Sequence, residues 1–292
     1  MNSTISEFDN ILYDDGGNVR MVTGQVNIAE PMIIPAGKQL SISSGTHLIF
    51  SDGAFLLSYS PIYLSGDPED PIIIEASDEN SGSISVIQAE GKSSLRNVLF
   101  KNQNTLTYKK WGLTGAVNFY ESDVDIQRTA FTYNRCEDAL NIIRSEFTIE
   151  ESKFSNTFAD AFDSDFCKGT VSSTQFIDVG NDGIDASGSI LKIKGCKIIK
   201  AGDKGISAGE QSTLNVSWTD ISGANIGLAS KDKSQVTIDQ MKLERCNLGF
   251  TAFQKKPEYG PASIIVNNYF VSDLKQLESI QERSSIEYAI KK

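Results

Sequence analysis

Asp163 and Asp185 stand 22 positions apart, in matching contexts: Asp160-Ala161-Phe162-Asp163 and Asp182-Gly183-Ile184-Asp185. Asp165 follows two residues after the first. Asn141 and Ser207 occupy the equivalent position one interval before and one interval after, and Lys204 comes one interval after Asp182. Residue type alone leaves three chemistries open. Paired carboxylates do acid/base or nucleophilic work on a glycosidic bond. Clustered carboxylates hold a hard cation such as calcium. Short polar side chains also close turns by bonding neighbouring backbone. As an enzyme, the chain would use Asp163, Asp185 and Asp165 as its catalytic groups, with Asn141, Asp182, Lys204 and Ser207 holding substrate. As a calcium protein, it would use the same three carboxylates as ligands. Two like charges one strand spacing apart do not both ionise cheaply, so a shared proton or a nearby cation must compensate. Lys204 is placed to neutralise Asp182.

What could bring these residues together is a repeat. From residue 138 the chain restates itself about every 22 residues, in the lines 138–141, 160–163, 182–185, 204–207, 226–229 and 248–251. The second position is always Ala or Gly, and the third is Leu140, Phe162, Ile184, Ile206, Leu228 or Phe250. Between these lines apolar residues alternate, as in Phe147/Ile149, Leu191/Ile193, Leu214/Val216 and Val236/Ile238. That is the period of a strand with one buried face. Short strands joined by Gly, Asn, Asp and Ser turns at a constant interval predict an all-β, single-stranded, right-handed parallel β-helix, one coil per repeat, with like residues stacked at the sheet spacing. The residue after each large apolar one then points outward, which places Asp163 and Asp185 on one face.

The expected organisation is one domain over 1–292: a terminal cap over 1–24, coils over 25–271 and a second cap over 272–292. Leu274, Leu277 and Ile280 recur every third residue and predict a short helix in that last cap. Residues 102–113 and 254–261 read as loops, the latter adding about six residues to its coil. Cys136, Cys167, Cys196 and Cys246 fall too far apart in this register to bridge, and read as reduced, buried thiols.

Composition narrows the function. A net charge of −11 opposes a nucleic-acid partner. No apolar run approaches the length of a membrane span, and the start lacks the basic-then-apolar layout of a signal peptide. His47 is the single histidine and sits in an alternating strand, so it reads as structural; one histidine disfavours His-rich zinc sites and triads. Arg144, Lys168 and Lys231 are exposed candidates for a lyase base, although each belongs to a different column. Trp111 and Trp218 are candidates to stack on a sugar ring, but Trp218 falls 22 positions after Cys196, which predicts core packing. The segment Lys255-Lys256-Pro257-Glu258-Tyr259 reads as a charged, solvated excursion before it reads as a site, although loops on β-helices also wall binding grooves.

Two resemblances follow from these phrases. Gly180-Asn181-Asp182-Gly183-Ile184-Asp185 resembles the Asn-Thr-Asp-Gly motif of the polygalacturonase family. Where that family has Gly-Asp-Asp, this chain has Gly202-Asp203-Lys204, and its Gly-His-Gly and Arg-x-Lys elements have no counterpart. The wider resemblance is to the pectin-lyase-like β-helix class. Within that class the chain is similar to the β-helical segments that accompany CotH-kinase-like domains of bacterial surface proteins, through residues 111–117, 137–145, 160–166 and 203–207. No kinase-like element is present. The resemblance implies an extracellular or envelope setting, a polysaccharide partner and, in a longer parent chain, a neighbouring domain. The leading expectation is therefore a non-catalytic polysaccharide-binding or scaffolding β-helix. A polysaccharide lyase, epimerase or hydrolase using the Asp pair, and a purely structural spacer, are the alternatives.

Overall fold

A computed structural model describes residues 3–108, 111–281 and 283–289. The chain is all-β and is built from short parallel strands stacked coil upon coil, with one 3-10 turn and no α-helix among the described residues. It divides into two compact units, Met1–Thr148 and Ile149–Lys292.

In the first unit, the 3-10 turn Ile5–Phe8 and the antiparallel pair Leu12–Asp15 and Asn18–Met21 begin the chain. Parallel stacking then places Met32, Leu56, Ile84, Val117 and Leu140 in one column, all essentially excluded from water. The predicted loop 102–113 carries a two-residue strand pair, Thr107–Tyr108 with Trp111–Gly112. Leu106 from this segment is buried against Ile33, Phe55 and Leu57, so an outward face of the coils becomes a small second core. Half-buried His47 sits with its Nε2 3.4 Å from Glu75.

The second unit repeats three walls. One stacks Lys168–Ser172, Ile190–Lys194 and the first halves of Thr213–Ser222 and Gln235–Glu244. The next stacks Lys153–Thr157, Gln175–Val179, Lys197–Ala201 and the second halves of those long strands. The third stacks Asp160–Asp165, Ile184–Ser187, Lys204–Gly209, Ile226–Lys231 and Leu248–Phe253. Phe162, Ile184, Ile206, Leu228 and Phe250 form one fully buried column, as the repeat predicts. On the opposite side of the core the rings of Phe154 and Phe176 stack at 4.9 Å, the spacing of the coils themselves.

The corner that leaves the third wall varies in length. Two residues, 166–167 and 188–189, suffice in the first two coils, three serve at 210–212 and 232–234, and nine at 254–262. The first three exits are each fastened by a buried serine: the backbone N–H of Cys167 donates to Ser189 Oγ at 2.9 Å, that of Ser189 to Ser212 Oγ at 3.0 Å, and that of Ser212 to Ser234 Oγ at 3.1 Å.

Two expectations are corrected. Residues 276–280 are not helical: Gln276–Ile280 is a strand that stacks on Leu248–Phe253. Three-residue apolar spacing suits a helix locally, but the open backbone of the preceding coil offers a ladder of hydrogen bonds, and tertiary pairing overrides the local pattern. Ser285–Tyr288 continues the stacking in the same way. Trp218 is not in the core either. Lys194 pairs with Ser217 and Lys197 with Asp220, so Trp218 lies opposite Gly195 and Thr219 opposite Cys196. The extra residue in the corner at 210–212 moves the register by one.

Candidate functional site

The third wall of the second unit carries two outward columns. In one, Asp163, Asp185, Ser207, Ala229 and Thr251 are in register. In the other, Asp165, Ser187, Gly209, Lys231 and Phe253 are in register. Asp163 and Asp185 are thus direct neighbours on adjacent coils, both half-buried, with half-buried Asp165 and Ser187 beside them. Period-2 alternation fixes this: Phe162 and Ser164 point inward, so Asp163 and Asp165 point out. Asn141 belongs to the first unit, where it is in register with Asn118 and buried.

The structure changes the reading of Lys231. It is not exposed: only 8% of the residue meets water. Its stem lies along Gly209, where an added Cβ would sit 3.4 Å from Lys231 Cε. Its Nζ comes within 3.8 Å of Asp185 Oδ1. Small residues make this path. Ser207, Ala229 and Gly209 leave a trough that a long side chain fills, with its charge directed at a carboxylate two coils away. Ser207 is 0% exposed, and neither its Oγ nor Asp185 Oδ1 has a hydrogen-bond partner among the described residues. Arg144 and Lys168, by contrast, are exposed.

Asp160, Asp182 and Lys204 occupy a separate column at the entry to the wall. Asp160 Oδ1 accepts from the backbone N–H of Asp182 at 2.8 Å, and Asp182 Oδ1 accepts from that of Lys204 at 2.9 Å. The Lys204 ammonium reaches Asp182 at 3.4 Å and also contacts Asp203. Asp182 is 2% exposed. Burial pushes its carboxyl up to about 6, and the nearby Asp185 and Asp160 charges add to the rise, against the pull of Lys204. Burial disfavours the Lys204 charge, but Asp203 and Asp182 together hold its ammonium above the usual lysine range. Beside this column runs a second ladder, in which Asn247 Nδ2 donates to Asn225 Oδ1 at 2.9 Å and Asn225 Nδ2 to Asp203 Oδ1 at 3.2 Å. These groups tie coil to coil.

Phe166 borders the outward ladder. It is exposed, and its ring covers Gly188, where a Cβ would stand 2.5 Å from Phe166 Cδ1. Gly188 thereby keeps open the space that a flat ring occupies beside Asp165. On the same side, the 254–261 loop folds back along the unit. The backbone N–H groups of Lys255 and Lys256 donate to buried Asp232 at 2.6 and 2.7 Å, and the Lys256 ammonium contacts Glu210. Among the described residues no group of three or more His, Cys, Asp or Glu side chains is placed to hold a metal ion, and no helix is long and apolar enough to cross a membrane.

Sequence reasoning missed the buried path of Lys231 and the platform of Phe166. Each carries a signal in the same place: a glycine one coil earlier or later in the same column, Gly209 for the lysine and Gly188 for the ring.

Residues 138–273 match the model of the right handed beta helix region. No curated protein sequence matches the chain. Among solved structures, the full-length tailspike protein 2 of Escherichia coli O157:H7 bacteriophage CAB120 aligns at 10% identity and TM-score 0.55, over 91% of this chain. A periplasmic alginate epimerase aligns at 11% identity and TM-score 0.60, over 96% of this chain and 79% of its own. An alginate lyase from Paenibacillus aligns at 10% identity and TM-score 0.58, over 88% and 98%. The chain spans 38% of the tailspike's length. At these identities the likeness is one of fold: the chain is a right-handed parallel β-helix.

Proposed function

We propose that this β-helix is a polysaccharide-binding module of an extracellular or cell-envelope protein, and that the outward ladder of the second unit holds the glycan. One observation carries the reading. Half-exposed Asp163, Asp185, Asp165 and Ser187, stacked at strand spacing, are bordered by the exposed ring of Phe166 over Gly188. Sugars need that pairing, since their hydroxyls take carboxylate acceptors and their apolar ring faces take an aromatic plane. The alginate-directed names of two β-helix neighbours agree with a glycan partner at the level of fold analogy. In a longer parent chain the module would direct a neighbouring domain to a glycan surface.

A second reading, polysaccharide lyase, epimerase or hydrolase, is favoured by a specific feature. Buried Lys231 faces Asp185, next to Asp182, a carboxyl that burial pushes up to about 6. Groups pushed toward the working pH are those that exchange protons in catalysis.

The test is a glycan array together with a turnover assay on polysaccharides, with and without calcium, using the parent chain and Asp163→Asn/Asp185→Asn. Retention of glycan by the parent, lost in the double variant and without product, supports the module. Product that disappears in both the double variant and Lys231→Met transfers the chain to the enzymes. A calcium-dependent rise in melting temperature, lost in the double variant, makes the ladder a cation site. Silence in all three assays leaves a structural spacer and removes the proposal.

A further inference from the structure

We propose a second glycan-binding site on a different part of the same unit, built on Trp218 and Phe270 and selective for uncharged oligosaccharide. The proposal extends the glycan reading but does not depend on the acidic ladder.

Trp218 sits where the chain turns between the first and second walls. Its column is Ser173, Gly195, Trp218 and Gln240, with φ of 49°, 65°, 53° and 58°. A left-handed backbone disfavours large side chains, and the preceding coils use Ser and Gly there. The indole gains little from packing in return, since 61% of the residue is exposed. Neither backbone preference nor burial accounts for a tryptophan at this corner.

What surrounds it accounts for one. Trp218 lines a groove of about 510 Å³ together with Asp220, Gln240, Lys242, Asn268 and Phe270. That is the size range of small-molecule sites. Asp220, Lys242 and Phe270 are in register on successive coils, and Phe270 is 56% exposed. Two coil spacings separate the Trp218 and Phe270 levels, about 10 Å along the stacking axis. Lys242 Nζ lies 5.8 Å from the centre of the Phe270 ring, which holds the ammonium between the two aromatic levels. Asn268 Nδ2 donates to Asp239 at 2.7 Å, which turns its amide to a fixed orientation.

The groove therefore offers two aromatic faces two coils apart, with an acceptor, an amide and a donor beside them. Apolar ring faces that also carry hydroxyls fit this arrangement. The lining holds one Asp and one Lys, and Lys242 is already paired with Glu244 at 2.9 Å. A uronate or phosphate would find no unshared cation there among the described residues, so the chain it accepts is uncharged.

The chain has two tryptophans, so Trp111→Phe leaves Trp218 as the single indole reporter. Laminarihexaose, cellohexaose, maltohexaose and mannohexaose are titrated into this background. Saturable blue-shifted emission with at least one of them is expected. By calorimetry, Phe270→Ala should weaken that binding about fivefold and Trp218→Gly should abolish it, while Asp163→Asn/Asp185→Asn leaves it unchanged. High salt should change the affinity by less than roughly twofold. Because Gly195 occupies the same corner one coil earlier, Trp218→Gly should melt no lower than the parent, which separates lost binding from lost fold. Absence of an emission change with all four sugars, undiminished binding by Trp218→Gly, or a response only to uronate oligomers overturns the proposal. Loss of the response in the Asp163/Asp185 double variant would overturn the separateness of the two sites.

Discussion

Replacing Asp182 by asparagine should remove a pH dependence from the stability of the fold. Asp182 is almost wholly buried, and its carboxyl is pushed from 3.8 up to about 6, by burial first and then by Asp185 and Asp160. The folded state thus holds a proton that the unfolded chain releases near 3.8. The stability associated with this proton is fully present below pH 3.8 and is lost as pH rises through about 6. At ~1.4 kcal/mol per pH unit, the interval between the two values amounts to ~3 kcal/mol. The side-chain amide of the Asp182→Asn variant keeps the shape and can still accept the backbone N–H of Lys204, and Asp203 remains to hold the Lys204 ammonium. Urea unfolding across this range should show the variant gaining on the parent by ~3 kcal/mol as pH rises from below 4 to neutrality. The difference between the two proteins is the quantity to follow. Asp203 and Glu244, held below their usual range, act in the opposite sense, losing stability as pH falls, and are common to both chains. A flat difference curve, or a parent that gains on the variant with rising pH, would refute the account of Asp182 as a carboxyl strained by burial.

Two further outcomes follow from the packing. Trp218→Gly should stabilise the chain by about 1 kcal/mol, read as a rise in melting temperature, because the left-handed position suits glycine and the indole has little burial to lose. All four cysteines are buried and free, and burial pushes the Cys136 thiol up to about 12 and the Cys196 thiol to about 11; a disulfide exchange reagent should find almost no thiol in the native protein at neutral pH and all four after denaturation, with or without prior reduction.

The sequence disclosed most of the fold because a solenoid writes its contacts at a fixed interval. Phe162, Ile184, Ile206, Leu228 and Phe250 are 22 positions apart and touch in the same order. The Asp163–Asp185 stack and the Asp182–Lys204 contact follow from the same count. Where the interval changed, the reading failed. A constant 22 assigned Trp218 to the place of Cys196, but the extra corner residue before Thr213 makes the interval 23 there and turns the indole outward. The burial of Lys231 was illegible for another reason. Alternation states which way a Cβ points, and not that a long side chain will lie down over Gly209 and Ser207 toward Asp185. The last coil misled because Leu274, Leu277 and Ile280 satisfy a helical spacing, while the partner that decides the matter, Leu248–Phe253, lies some 28 residues earlier.

The corner leaving the third wall has a meaning beyond geometry. It lengthens from two residues to three and then to nine, yet Gln235 still meets Ser263 and Leu248 still meets Gln276. Both sides of the insertion are held independently, by the wall strand before it, where Phe253 meets Lys231, and by the strand after it, where Ser263 meets Gln235, so added length leaves the stacking on either side intact. A lineage can therefore lengthen, trim or rewrite this segment without renegotiating the rest of the molecule. Novelty in such a chain would accumulate at the corners by insertion and deletion, beside walls whose spacing mutation is not free to alter.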